Sequence, residues 1–419
     1  MKPLPSIAKL PLVFSALPGG NGNSDGGFNN VGNNGNWWSS SENNSNNAYN
    51  RNMNYNNENV NYNNNNKNNL QSVRCLQNCS GGAGTPVSSL FLELHKAYLD
   101  ARKHKRNTIN QLKFERNLEI ELLSLCNELE TRTYELRPGI CFINELPVKR
   151  EIIAADFRDR VVHHFLYNRI YPILDRKFIY DSYSCRVGKG TLFGIKRVRG
   201  FLRDDVWVLR LDIKGFFMAI NRDILFSLLM NGLCETQPVC ELLEFLIRKI
   251  VFNEPLKNVR FKSPKSAWNG LPRDKSLMNS APNCGLPIGN LTSQVFANVY
   301  LNPLDHFVKR ELKIKYYGRY VDDMVLIHSD KQILLNAISS IRSFMQNRLN
   351  LTLHPKKIKL QPATKGFAFL GAYIYPRGVA AGKRVVKNFK GCIFNSFSNP
   401  EKQTQRVQSY LGLLTHFRG

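Results

Sequence analysis

Two adjacent carboxylates sit between two apolar runs in YYGRYVDDMVLIH, Tyr316 to His328, and they constrain this chain more than any other feature. Both flanks read as buried strands. A carboxylate buried without a partner is very costly, so these acids belong at a hairpin tip and need either basic side chains or a cation. A third acid has a similar setting. The run VWVLRLDI, Val206 to Ile213, has strand length and composition, and Asp212 closes its apolar part.

A lone strand-end Asp is an ordinary turn residue, and so is a lone Asp pair. The combination says more. A strand ending in an acid is followed, much further along the chain, by a hairpin carrying two. That pattern suits phosphoryl transfer with two metal ions. Carboxylate oxygens are the hard ligands that Mg²⁺ prefers. Two such ions would activate a 3′-hydroxyl and steady a leaving pyrophosphate.

Charge points the same way. The 419 residues carry a net +26, of which the first 80 contribute +2. An excess of +24 on the remaining, aromatic-containing part marks a polyanion binder, nucleic acid first, although a solvated basic surface would have the same balance. Nine scattered cysteines, with Cys75 and Cys79 as the one close pair, read as reduced thiols of a cytoplasmic protein. No apolar run is long enough to cross a bilayer, so no membrane span is expected.

Residues 1–19 form a leader of unclear role. Residues 20–80 hold an Asn-rich tract in which roughly half of the positions from Asn21 to Leu70 are Asn. Such a segment buries too little apolar surface to offset its ordering entropy, so a disordered N-terminal tail is expected. Globular composition begins near Val87. Phe114, Leu118, Leu122, Leu125 and Leu129 recur at helical spacing, as do Leu334, Ile338, Ile341 and Met345. SQVFANVYLNPLDHFVKREL reads as a helix bent at Pro303, and KGFAFLGAYIYPRG as paired strands. The long loop FKSPKSAWNGLPRDKSLMNSAPNCG is of a length that usually carries function.

LRLDIKGFFMAI (Leu209–Ile220), GLPIGNLTSQ (Gly285–Gln294) and YVDDMVLIH (Tyr320–His328) resemble, in order and spacing, the palm motifs of reverse transcriptases. HPKKIKLQ and FLGAYIY follow where later palm motifs belong. Most of that family has Gln-Gly and Ser-Pro in the middle motif, whereas this chain has Ile288-Gly289 and Ser293-Gln294. The variant resembles the enzymes of diversity-generating retroelements, relatives of the group II intron type. KREIIAADFRDRVVHH (Lys149–His164) and WNGLPRDKSL (Trp268–Leu277) are similar to that group too.

The resemblance implies an α+β right-hand polymerase: a helical segment at 88–135, fingers at 136–205 and 225–284, palm at 206–224 and 285–378, and a short thumb at 379–419. It implies that Asp212, Asp322 and Asp323 hold two Mg²⁺ ions. Phe217 falls where a bulky side chain excludes a 2′-hydroxyl, though a plain core Phe fits the same position. Lys149, Arg150 and Arg158 would meet the incoming triphosphate, and a solvated basic turn is the other reading of Lys149. Gly289 would let the backbone approach a base pair, Gln294 belongs to the same motif, and Lys357 would contact pyrophosphate. Ile288 cannot hydrogen-bond the template as Gln can, and the resemblance implies misincorporation opposite template adenine.

The Asn-rich tract resembles a translated template repeat, since Asn codons are rich in adenine. Implied partners are template RNA, cDNA or target DNA, deoxynucleoside triphosphates and a basic oligomeric accessory protein. Two rivals stay open: a group II-like or defence-associated reverse transcriptase of ordinary fidelity, and a non-catalytic RNA-binding scaffold.

Overall fold

The computed structural model describes residues 21–22, 28–29, 34–54, 60–69, 89–103, 108–145, 148–234, 239–394, 400–415 and 417. Residues 1–19, the Cys75–Cys79 pair and the start of the globular part near Val87 lie outside them. The chain divides into two compact units, Met1–Leu92 and Glu93–Gly419.

In the first unit, composition argues for disorder, yet the described residues pair. Strands Asn34–Glu42, Asn47–Asn54 and Val60–Asn66 form an antiparallel sheet. The amides themselves supply the cohesion that apolar side chains do not. Asn52 Nδ2 donates to Asn36 Oδ1 at 2.5 Å, Tyr49 and Tyr62 stack at 4.8 Å, and Asn44 Oδ1 accepts from the backbone N–H groups of Asn46 and Asn47 in the first turn.

In the second unit the expected elements form. The first apolar stripe becomes two helices, Ile109–Arg116 and Leu118–Glu130, with Asn117 between them and all five stripe residues buried. The second becomes the helix Lys331–Leu349. The helix Leu291–His306 contains Pro303 and passes into a π-helical turn, Phe307–Glu311. The C-terminal segment supplies the helices Lys383–Phe394 and Pro400–Thr415.

Strand Trp207–Leu211 lies inside a four-stranded antiparallel sheet, between Asp323–His328 and Lys359–Pro362, with Tyr316–Tyr320 at one edge. Alternation sends Val208, Val325 and Ile327 to one face, where they pack with Ile195, Val198, Phe367, Phe369 and Ile374. Each fully buried aliphatic side chain contributes about 1.5–3 kcal/mol, enough to pin the register. A second sheet joins Gly139–Asn144 to Arg150–Ala154 and Val259–Phe261. The long loop after Phe261 is folded into three short 3₁₀ turns.

Candidate active site

The register places the acids. Leu211 stands opposite Met324, so the next pair beyond the ladder is Asp212 with Asp323. Tyr320 pairs with Asp323 across a two-residue turn made of Val321 and Asp322. The three carboxylates, of which Asp212 is remote in sequence from the other two, therefore meet at one corner of the sheet. Burial, then the charges of Asp323 and Asp212, push the Asp322 carboxyl up to about 6. Burial and Asp212 also raise Asp323, while Arg210, Lys357 and Arg384 pull it down.

The turn is strained. Val321 has φ +53°, a left-handed conformation that costs a β-branched residue more than most. A buried network holds it. Arg319 and Asp305 are both fully buried and form a two-pronged ion pair, Nε to Oδ1 at 2.7 Å and Nη2 to Oδ2 at 2.6 Å. Arg319 Nη1 also donates to the Val321 carbonyl at 2.9 Å. Tyr317 donates to Asp305 at 2.7 Å, and Asn298 and Ser182 accept from the guanidinium at 3.3 and 3.4 Å. None of these supports was singled out in the sequence. The available signal was a lone charge inside each of two apolar elements, Arg319 in a strand and Asp305 in a helix.

Lys357 reaches the acid corner itself: its Nζ donates to Asp212 Oδ2 at 2.8 Å. The backbone brings it there, since His354 N–H bonds the Asp212 carbonyl and Lys214 N–H bonds that of Thr352. The other Asp212 oxygen, Oδ1, is buried with no hydrogen-bond partner. Among the described residues no three His, Cys, Asp or Glu side chains converge tightly enough to hold a metal ion as placed. The donor chemistry nonetheless fits a hard cation: three carboxylates at one corner, one orphaned buried oxygen, and an acid raised by burial and by its two acidic neighbours.

Phe217 and Ile288, from separate motifs, pack on one apolar cluster with Cys141, Ile153, Met218, Leu277 and Trp268. Ile288 is tied to the neighbouring sheet through its carbonyl, which accepts from Ile153 N–H at 2.9 Å. Gly289, at φ +132°, meets protein rather than open space: a Cβ there would lie 2.9 Å from the Ile153 carbonyl oxygen. Gln294 is exposed, and its Oε1 accepts from Cys185 Sγ at 3.1 Å.

The three expected triphosphate contacts separate. Arg150 is exposed, and Lys149 Nζ donates to the Asn269 carbonyl at 2.8 Å. Arg158 is corrected: it is 2% exposed and paired with Glu121 and Glu128, so it fastens helices and does not face a nucleotide. Local sequence could not show that those glutamates, which belong to an earlier helix, return to it. His163 is a packing residue, hydrogen-bonded to Thr292 at 2.8 Å, and burial lowers it to about 3.

Solved structures match this chain at low similarity. Apo telomerase from Candida tropicalis is 13% identical, with a TM-score of 0.43, over 69% of this chain and 56% of that one. Telomerase from Candida albicans, in complex with a TWJ fragment of telomeric RNA, is 12% identical with a TM-score of 0.39, over 67% and 54%. The chain thus spans little more than half the length of either. No curated protein matches it. The family described as "Reverse transcriptase (RNA-dependent DNA polymerase)" matches residues 148–374, more than half of the chain and all three acids. By that match the chain belongs to the reverse transcriptase family.

Proposed function

We propose that this protein is an RNA-directed DNA polymerase whose reacting centre is the corner formed by Asp212, Asp322 and Asp323. The observation that carries the reading is the strand register, which sets Asp212 opposite Asp323 with Asp322 at the adjoining turn. A non-catalytic scaffold has no use for three acids held against their mutual repulsion. Bound there, two Mg²⁺ ions would supply charge neutralisation for the primer 3′-hydroxyl and the triphosphate. The chain's own part is placement. Arg319 holds the turn, Lys357 orients Asp212, and Phe217 and Ile288 pack together on one apolar cluster. Template RNA, cDNA and deoxynucleoside triphosphates are the matching partners, drawn by the +26 charge.

Primer extension on an RNA template tests this. Wild-type protein should extend with Mg²⁺, and Asp323→Asn should not. Extension by Asp323→Asn at the wild-type rate would remove the acids from the chemistry.

Within the family, we infer a diversity-generating retroelement enzyme that copies a template repeat with errors at adenine. Ile288 and Gln294 in the middle motif support it, as does the Asn-rich tract, whose adenine-rich codons suit a translated repeat. A basic oligomeric accessory protein and a cytoplasmic location belong to the same reading. Sequencing cDNA from an adenine-containing template is the test. Ile288→Gln should lower misincorporation opposite adenine, and an unchanged error frequency would favour the ordinary-fidelity rival.

A further inference from the structure

One buried carboxylate takes no part in the acid corner. Glu151, in the strand Arg150–Ala154, is 2% exposed and accepts three hydrogen bonds, all from one loop. Its Oε2 accepts from Trp268 Nε1 and Ser276 Oγ, each at 2.7 Å, and its Oε1 from Leu277 N–H at 2.7 Å. All three donors are neutral. A buried carboxylate is a costly means of fastening a loop, and three directional hydrogen bonds to it define the loop's placement more closely than an apolar contact would.

What the loop is fastened to is the apolar cluster on which Phe217 and Ile288 pack, and its own Trp268 and Leu277 belong to that cluster. Leu277 also fixes the approach to Ile288: Gly285 has φ +99°, and a Cβ there would lie 2.5 Å from Leu277 Cδ1. From that glycine the chain is pinned to the other wall, Gly285 N–H to the Ile220 carbonyl and Leu286 N–H to that of Phe217, both at 2.8 Å. In the same strand as Glu151, Ile153 N–H holds the Ile288 carbonyl at 2.9 Å. One strand thus bonds both the loop and Ile288, and Phe217 packs on the same cluster.

We propose that Glu151 is a positioning residue that sets the width of the nucleotide pocket, and with it the choice of deoxy- over ribonucleotide, by fastening the Trp268–Leu277 loop against Phe217. The proposal rests on the polymerase reading and on Phe217 as the group that meets the sugar. In Glu151→Gln the amide must turn an N–H toward at least one of the three donors, whichever way it is flipped. The loop then shifts, and a shift on the ångström scale is enough to spoil steric selection.

The test is the ratio of kcat/KM for a deoxynucleotide over its ribonucleotide, in primer extension by wild type, Glu151→Gln, Trp268→Phe, Phe217→Ala and the Glu151→Gln/Phe217→Ala double variant. Glu151→Gln should lower the ratio about tenfold while deoxynucleotide kcat falls less. Trp268→Phe, which removes one donor and keeps an aromatic ring, should lower it in the same direction by less, and it serves if Glu151→Gln does not fold. Phe217→Ala should lower the ratio most, and adding Glu151→Gln to it should change the ratio no further. If Phe217→Ala relaxes selection while Glu151→Gln and Trp268→Phe slow both substrates equally, the Glu151 proposal is overturned and the Phe217 assignment stands. If Phe217→Ala leaves the ratio unchanged, that assignment fails and the proposal with it. Absence of extension by wild type would sink the polymerase reading itself.

Discussion

The brace beneath the acid corner and the Glu151 loop solve the same problem, a carboxylate out of water, in opposite ways. Asp305 is matched by a full counter-charge, Arg319, and the pair braces the strained Val321 turn. Glu151 is met by three neutral donors that converge from one loop. An ion pair tolerates small displacements because charge attraction falls off slowly, whereas hydrogen bonds lose strength steeply with angle. The first device resists force and the second fixes position. The difference matches what each supports: a corner of mutually repelling acids on one side, a pocket wall on the other.

The largest effect should come from breaking the first device. Arg319→Met leaves Asp305 buried without its counter-charge and should cost about 3–5 kcal/mol in chemical denaturation. Replacing both partners, Arg319→Met with Asp305→Leu, should recover much of that loss. A single variant as stable as wild type would mean that the pair contributes nothing.

His163 sharpens the contrast, since it is buried by giving up its charge altogether. Its folded pKa is depressed to about 3 by burial, with Arg160 and His164 adding to the effect. The neutral form is the stable one, so the contribution is complete above the unfolded value near 6.5 and lost as pH falls below it. Between pH 6.5 and 5 the wild type should lose about 2 kcal/mol from this group, and the denaturation profile of His163→Gln should be correspondingly flatter. Parallel profiles would refute it.

The smallest effect should have the opposite sign. Asp322 is raised to about 6 by burial and by its two acidic neighbours, so ionising it costs the fold stability. In the presence of a chelator, Asp322→Asn should be more stable than wild type by about 1 kcal/mol at neutral pH, allowing for solvent screening. The gap should open as pH rises through about 6 and close below about 4, where both proteins are uncharged there. The same variant should not extend a primer. A variant destabilised by the change would show that the corner is not under electrostatic strain.

Apolar periodicity made the strands and amphipathic helices legible, because burial of one face repeats at the period of the element. The acids were legible for the complementary reason: a carboxylate ending an apolar run has no local excuse. Arg158 was not, because its partners Glu121 and Glu128 reach it only through helix packing. Gly289 was read as letting the backbone approach a base pair; its close contact with the Ile153 carbonyl is a further demand for glycine that the sequence did not show. The Asn-rich tract was read from an average composition, while amide-to-amide bonds and a tyrosine stack depend on which strands pair.

By itself, then, the order of residues determined the main elements of the second unit, the three acids and the family to which their motifs belong. Tertiary structure alone decided which charges meet: Arg319 with Asp305, Lys357 with Asp212, Glu151 with its loop. The physical reason is range. Backbone periodicity and burial preference act within a few residues of one another, whereas the partner of a buried charge comes from wherever the packed chain returns.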